Sequence, residues 1–200
     1  NYSSSVTPNL FMKKIVLFAS GSGSNVENII QYFHDKPNVT IASVLTNKRD
    51  AKVLDRCNRL KISSLCFNRT SFYDTECVLN VLKSLKPDLI VLAGFLWKIP
   101  ANLIKTYPTQ IINIHPALLP KYGGKGMYGN NVHQAVKDNK DTETGITIHY
   151  VNENYDEGGI IHQAKTEVLP EDTVSEIAEK IHALEYEYFP RVIEQLLKQL

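Results

Sequence analysis

The sequence predicts an α/β fold: a doubly wound, mostly parallel sheet with helices on both faces and antiparallel strands in its C-terminal part. Three observations carry this. Through the first half of the chain, short apolar runs alternate with amphipathic segments of helical period, the pattern of successive βα units. The apolar runs show no in–out alternation, as expected of strands covered on both faces. From Gly145 onward the pattern changes to two strand-like segments joined by a short turn, which pair antiparallel.

Taken in order, Lys13–Ala19 (K-K-I-V-L-F-A) reads as a buried strand that stops at Gly21-Ser22-Gly23-Ser24. A helix follows over Ser24–Phe33, with Val26, Ile29, Ile30 and Phe33 on one face. Val39–Thr46 is a second strand, Ala51–Leu60 a second helix and Ser64–Phe67 a short third strand. A helix is expected over Ser71–Leu85, and Pro87-Asp88 opens the strand Leu89–Ala93. A short helix follows Pro100, and Gln110–Ile114 is the next strand. The alternation in Gly145–Val151 marks a further strand, paired with Gly159–Val168 across a turn at Tyr155–Gly159. Thr173 and Glu176 form a capping box that starts a long C-terminal helix. Pro190 is expected to kink or break that helix. Residues 12–200 read as one domain, and the polar, Ser-rich stretch 1–11 as a disordered leader or tag.

Bulk properties narrow the function. A chain of 200 residues with 43% hydrophobic and 22% charged residues has enough apolar material for one core. A net charge of +1 gives no bulk basic surface for nucleic acid or an anionic membrane. No apolar run reaches the ~20 residues of a spanning helix. Cys57, Cys66 and Cys77 follow no C-x-x-C spacing and read as reduced thiols of a cytoplasmic protein. No two histidines form an i,i+4 helical pair, so no metal is expected.

Gly21-Ser22-Gly23-Ser24-Asn25 lies between the first strand and the first helix. There, main-chain amides and the helix dipole favour a phosphate, with Ser24 and Asn25 as added donors. The same residues also suit a plain tight turn with a helix cap. Val26 stands where a dinucleotide fingerprint has its third glycine, and Thr46-Asn47-Lys48 supplies no acid for a ribose hydroxyl. A small phosphorylated ligand therefore fits better than NAD or ATP.

Asn113-Ile114-His115-Pro116 sits at the carboxyl end of a predicted parallel strand, the edge where open α/β sheets bind ligands. Residues two apart on a strand point the same way, so Asn113 and His115 place an amide donor beside a titratable ring. Asp156, before Gly158-Gly159, is either a turn residue or a carboxylate that folds back beside His115 and raises its pKa. His133 and His149 suit the core or surface as well as they suit a site.

Gly21-Ser22-Gly23-Ser24-Asn25, Leu92-Ala93-Gly94-Phe95, Asn113-Ile114-His115-Pro116-Ala117-Leu118-Leu119-Pro120, Thr144-Gly145-Ile146-Thr147-Ile148-His149 and the Asp156 loop together resemble the phosphoribosylglycinamide formyltransferase family. The resemblance runs from Met12 onward. It implies transfer of a formyl group from 10-formyltetrahydrofolate, as co-substrate, to the amine of phosphoribosylglycinamide, with no metal. By the same resemblance, Gly23, Ser24 and Asn25 bind the substrate phosphate and Glu185 binds another part of that substrate. Leu96, Trp97, Lys98 and Ile99 line the folate pocket largely through main-chain groups, with Arg69 near the folate and Asn113 on the formyl oxygen. His115 is the catalytic acid, and Asp156 raises its pKa. The family pattern differs at Trp97-Lys98, at His182, and in the Gly- and Asn-rich loop from Gly123 to Asn131. Arg69 falls one residue from the family's folate-contacting arginine, which aligns at Thr70.

Other acceptors are weighed against this one. A methionyl-tRNA formyltransferase is expected to carry a further basic C-terminal domain, and a formyltetrahydrofolate hydrolase an N-terminal regulatory domain. A formyltransferase for amino sugar nucleotides is expected to lack the G-S-G-S-N loop. A non-catalytic nucleotide-binding α/β module leaves Asn113, His115 and Asp156 without a purpose. Small-molecule substrates are the expected partners, the chain acting as monomer or homodimer.

Overall fold

The computed structural model describes residues 12–200, so the leader expected over 1–11 lies outside the described residues. Strands β1 (Lys13–Phe18), β2 (Val39–Thr46), β3 (Ser64–Cys66), β4 (Leu89–Leu92), β5 (Ile111–His115), β6 (Glu143–Tyr150) and β7 (Ile160–Glu167) form one seven-stranded sheet. Its order is β3-β2-β1-β4-β5-β6-β7; β1 to β5 are parallel, and β6 and β7 are antiparallel. Helices α1 (Ser24–Phe33), α2 (Val53–Leu60), α3 (Cys77–Leu85), α4 (Ala101–Thr106), α5 (Asn130–Asp138) and α6 (Val174–Gln199) surround it.

The apolar strands are explained by cover on both faces. Ile15, Leu17 and Ala19 of the β1 segment pack in one cluster with Val26 and Ile29 of α1 and Phe189 and Ile193 of α6. Val16 and Phe18 pack on the other side with Phe72, Leu79, Leu82 and Leu103. Alternate residues of one strand thus enter opposite cores, and neither set has a polar face to show.

Two expectations need correction, and one helix lies where none is expected. The helix expected over Ser71–Leu85 is divided into a π-helical turn, Thr70–Asp74, and α3 from Cys77. Thr75 between them is extended, and its hydroxyl accepts the Cys77 amide at 3.2 Å, so a side chain supplies the partner that starts a new helix. Helix α5 lies in a polar stretch; its buried face consists of Val132, His133 and Val136. Pro190 does not break α6, which runs from Val174 to Gln199. Proline denies a hydrogen to the carbonyl of Tyr186, four residues earlier, and Asn28 Nδ2 from α1 donates to that oxygen at 3.0 Å instead.

The chain reverses its order across the sheet between β1 and β4. The loops leaving the carboxyl ends of β1, β4 and β5 therefore open onto one crevice, the location that this topology prepares for ligands.

Candidate active site

The crevice is a cleft of about 640 Å³ whose walls include Gly23, Ser24, Asn25, Leu96, Asn113, His115, Asp156 and Glu185. Eight residues expected at the site from the sequence thus share one space, although they span the chain from the first loop to the last helix.

At one end is the glycine loop. Gly23 occupies the position before α1 with φ 75°, and a Cβ there would lie 2.4 Å from Val53 Cγ2 and 2.9 Å from Val53 Cα. Both the left-handed backbone and the close approach of α2 require glycine. Behind the loop, Ser20 Oγ donates to Asn47 Oδ1 at 2.7 Å and accepts the Leu96 amide at 3.0 Å. One hydroxyl therefore ties together the segments that follow β1, β2 and β4. Asn25 Nδ2 donates to Glu185 Oε2 at 2.8 Å, joining the start of α1 to α6. Burial pushes the Glu185 carboxyl pKa up, against the bond from Asn25 and the nearby His182.

At the other end, β5 delivers Asn113 and His115 to the same side. In the antiparallel register Asn113 stands opposite His149 of β6. His149 Nδ1 donates to the Tyr150 carbonyl at 2.9 Å, which leaves Nε2 as an acceptor for Asn113 Nδ2 at 3.3 Å. His115 Nε2 donates to the Tyr122 carbonyl at 2.7 Å, and its Nδ1 faces Asp156 Oδ1 at 3.6 Å. Asp156 Oδ1 is also 3.6 Å from His149 Nε2, and Oδ2 accepts the Gly124 amide at 3.0 Å. The carboxylate does fold back to His115.

The Asp156 carboxylate pulls the His115 pKa up, as expected, but burial sets the net direction. Burial lowers the His115 pKa below the ordinary imidazole value, and this outweighs the opposing pull of Asp156 and of the Tyr122 carbonyl. A lowered pKa favours the neutral ring, in which the nitrogen bonded to the Tyr122 carbonyl carries the hydrogen and Nδ1 the lone pair. The Asp156 pKa is lowered: burial opposes its ionisation, while the Gly124 amide and, whenever they carry a proton toward it, the His149 and His115 rings favour it.

Four residues expected near the folate lie outside the cleft walls. The Arg69 guanidinium stacks 5.0 Å from the ring centres of both Tyr73 and Trp97. Trp97 packs against Phe67 and Phe72, the Lys98 carbonyl accepts the Tyr73 hydroxyl at 2.6 Å, and Ile99 is buried in the core. They form the shoulder next to Leu96. Of the residues the sequence left undecided, His133 lines the cleft from α5. Its Nδ1 is buried without a partner, and burial with His182 nearby pushes its pKa down to about 4. His149 belongs to the site through its pairing with Asn113; the alternation of I-T-I-H-Y is the signal that put it on a definite face. The main-chain groups of Tyr122 and Gly124 carry no sequence signal. No group of three His, Cys, Asp or Glu side chains is arranged to hold a metal ion among the described residues. No helix among them is long and apolar enough to cross a membrane.

A sheet with this switch point brings a glycine loop and an Asn–His–Asp set into one cleft, and residues 13–193 match the formyl transferase family model. The chain belongs to that family and is a folate-dependent formyltransferase. It is 38% identical over 188 residues to a phosphoribosylglycinamide formyltransferase of Haemophilus influenzae, covering 91% of this chain and 86% of the relative. A Bacillus subtilis protein of the same name is 37% identical, with 93% and 95% covered. A crystal structure of the Streptococcus pneumoniae phosphoribosylglycinamide formyltransferase superposes with a TM-score of 0.82 at 33% identity, covering 92% of this chain and 99% of that one.

Proposed function

We propose that the chain moves the formyl group of 10-formyltetrahydrofolate to the amine of 5-phosphoribosylglycinamide, yielding formylglycinamide ribonucleotide and tetrahydrofolate in de novo purine synthesis. We place it in the cytoplasm, working as a monomer or homodimer without metal. The observation that carries the reading is the meeting in one cleft of the glycine loop and the Asn113–His115–Asp156 set. Gly23, Ser24 and Asn25 hold the phosphate at the start of α1, where amides are unpaired and the dipole is positive. Glu185, fixed by Asn25, contacts the ribonucleotide further along the wall. Leu96 to Ile99 and Arg69 hold the folate from the adjoining shoulder.

The resting charge of His115 sets the chemistry. As the substrate amine adds to the formyl carbon, a C–N bond forms, the carbonyl electron pair moves to oxygen and the attacking nitrogen becomes positive. Asn113, with one N–H beyond that given to His149, donates to the developing oxyanion; loss of such a donor costs roughly 100–1000-fold. Neutral His115 takes the proton from the attacking nitrogen through Nδ1, and Asp156 stabilises the imidazolium that results. Collapse of the oxyanion breaks the bond to folate N10, and His115 returns the proton to that nitrogen.

The test is formyl transfer from 10-formyltetrahydrofolate in three mixtures: with phosphoribosylglycinamide, with an amino sugar nucleotide and with no acceptor. Turnover with phosphoribosylglycinamide alone is the expected result. Formyl release without an acceptor would make the chain a hydrolase, and phosphoribosylglycinamide binding without turnover would make it a binding module.

A further inference from the structure

Two main-chain groups of one short turn touch both members of the acid–base pair. The Tyr122 carbonyl accepts from His115 Nε2 at 2.7 Å, and the Gly124 amide donates to Asp156 Oδ2 at 3.0 Å. A carbonyl has no proton to give, so the first contact keeps hydrogen on Nε2 and leaves Nδ1 as the atom that exchanges a proton. Between them, a Cβ on Gly123 would lie 2.8 Å from Leu119 Cδ2 and 3.3 Å from Asp156 Cβ, so the turn runs against the catalytic carboxylate.

This turn does not hold itself. Tyr122 has φ 55°, a left-handed conformation that bulky residues rarely adopt and that persists only where the surroundings enforce it. The enforcement comes from its own side chain. The Tyr122 hydroxyl donates to Asp141 Oδ2 at 2.6 Å and accepts from Asn139 Nδ2 at 3.0 Å. Both partners belong to the connection between α5 and β6. The ring packs against Val136, Val168 and Ile177, a small core separate from the two that cover the sheet. Burial and Asp141 push the phenol pKa up, so the donor hydrogen is retained. The phenol lines a second cavity of about 270 Å³ on the far side of the turn, and is not part of the cleft wall.

We propose that Tyr122, anchored by Asp141 and Asn139, is a positioning residue that fixes the tautomer of His115 and the orientation of Asp156 from outside the cleft. This rests on the formyl-transfer reading for its rate consequence, and on geometry alone for its effect on His115. Outer partners of this kind typically influence activity by roughly 10–100-fold.

The experiment compares Tyr122→Phe, Asp141→Ala and Asp141→Asn with the parent protein. The ring-nitrogen shifts of His115 are measured by NMR in ligand-free protein, together with kcat and KM for phosphoribosylglycinamide. Tyr122→Phe and Asp141→Ala are expected to move His115 from the Nε2–H form to a mixture of tautomers. Both should lower kcat by about 10–100-fold, with KM changed less than about twofold. Asp141→Asn keeps an acceptor oxygen for the phenol and restores most of both signals. An unchanged His115 tautomer in Tyr122→Phe and Asp141→Ala would overturn the proposal, even if thermal stability fell. A parent protein that transfers no formyl group would defeat the functional reading while the NMR comparison still decides this one.

Discussion

Replacing Asp156 by asparagine removes a negative charge 3.6 Å from His115 Nδ1 while keeping the shape and an acceptor for the Gly124 amide. Two unit charges about 4 Å apart interact by about 4 kcal/mol at an effective dielectric of ~20. The side chains of His115 and Asp156 are 4% and 11% exposed, so solvent and salt screen little of this. The interaction exists only once His115 has taken the proton of the attacking amine, so its loss falls on kcat. At about 1.4 kcal/mol per factor of ten, Asp156→Asn should reduce kcat by on the order of 100–1000-fold. KM for phosphoribosylglycinamide should change little, because the phosphate end of the cleft is untouched. The pH dependence carries a sign as well. Asp156 pulls the His115 pKa up against burial, so its neutralisation lets that pKa fall further. The acid limb of the kcat profile, where His115 becomes charged, must therefore move to lower pH as the plateau drops. Steady-state formyl transfer across the acid and neutral range measures both. A rate loss below tenfold, or an acid limb that stays or moves upward, would refute the assignment of His115 as a base that is neutral at rest.

Three further perturbations test the framework. His133, with its pKa at about 4 against 6.5 for an unperturbed ring, binds its proton more weakly folded than unfolded. Stability is thus lost as pH falls from 6.5 towards 4, by about 3 kcal/mol in total. His133→Leu should flatten that part of a melting-temperature profile, and a profile that keeps its slope would contradict it. Gly23→Ala places a Cβ against the main chain of Val53 at φ 75°. It should cost about 2–4 kcal/mol in denaturant unfolding and weaken phosphoribosylglycinamide binding. Asn28→Ala leaves the Tyr186 carbonyl without its donor and should cost about 0.5–1.5 kcal/mol. In the Pro190→Ala background a main-chain N–H replaces that donor, so the cost of Asn28→Ala should largely vanish; equal costs in both backgrounds would show that the bond does not compensate the proline.

Much of the molecule is legible in one dimension because the information is local. Unbroken apolar runs such as Ile15–Phe18, too short for a buried helix and stopped by glycine, mark strands covered on both faces. The Thr173–Glu176 box and the 3.6-residue period of Ser24–Phe33 act within a turn or two of chain and appear as read. The glycine loop and Asn113-Ile114-His115 are legible for the same reason, since strand ends and helix starts are where amides and ring nitrogens stand free. The failures lie where a distant group overrides a local preference. Pro190 looks like a breaker until Asn28, 162 positions away, supplies the missing donor. Helix α5 has too short an apolar face to announce itself, and is defined by packing on α6.

The sequence by itself determined the sheet, the crevice at its switch point and the residue types that meet there. Only the tertiary structure decided their state. The charge of His115 is a contest between burial and a carboxylate arriving from the loop between β6 and β7, and its sign depends on a distance and a depth that spacing along the chain does not encode. The same holds for His149 opposite Asn113 and for the Tyr122 carbonyl on Nε2. Each is a contact between segments remote in sequence, and the free energy of such contacts is set by three-dimensional geometry and the local dielectric, not by residue identity.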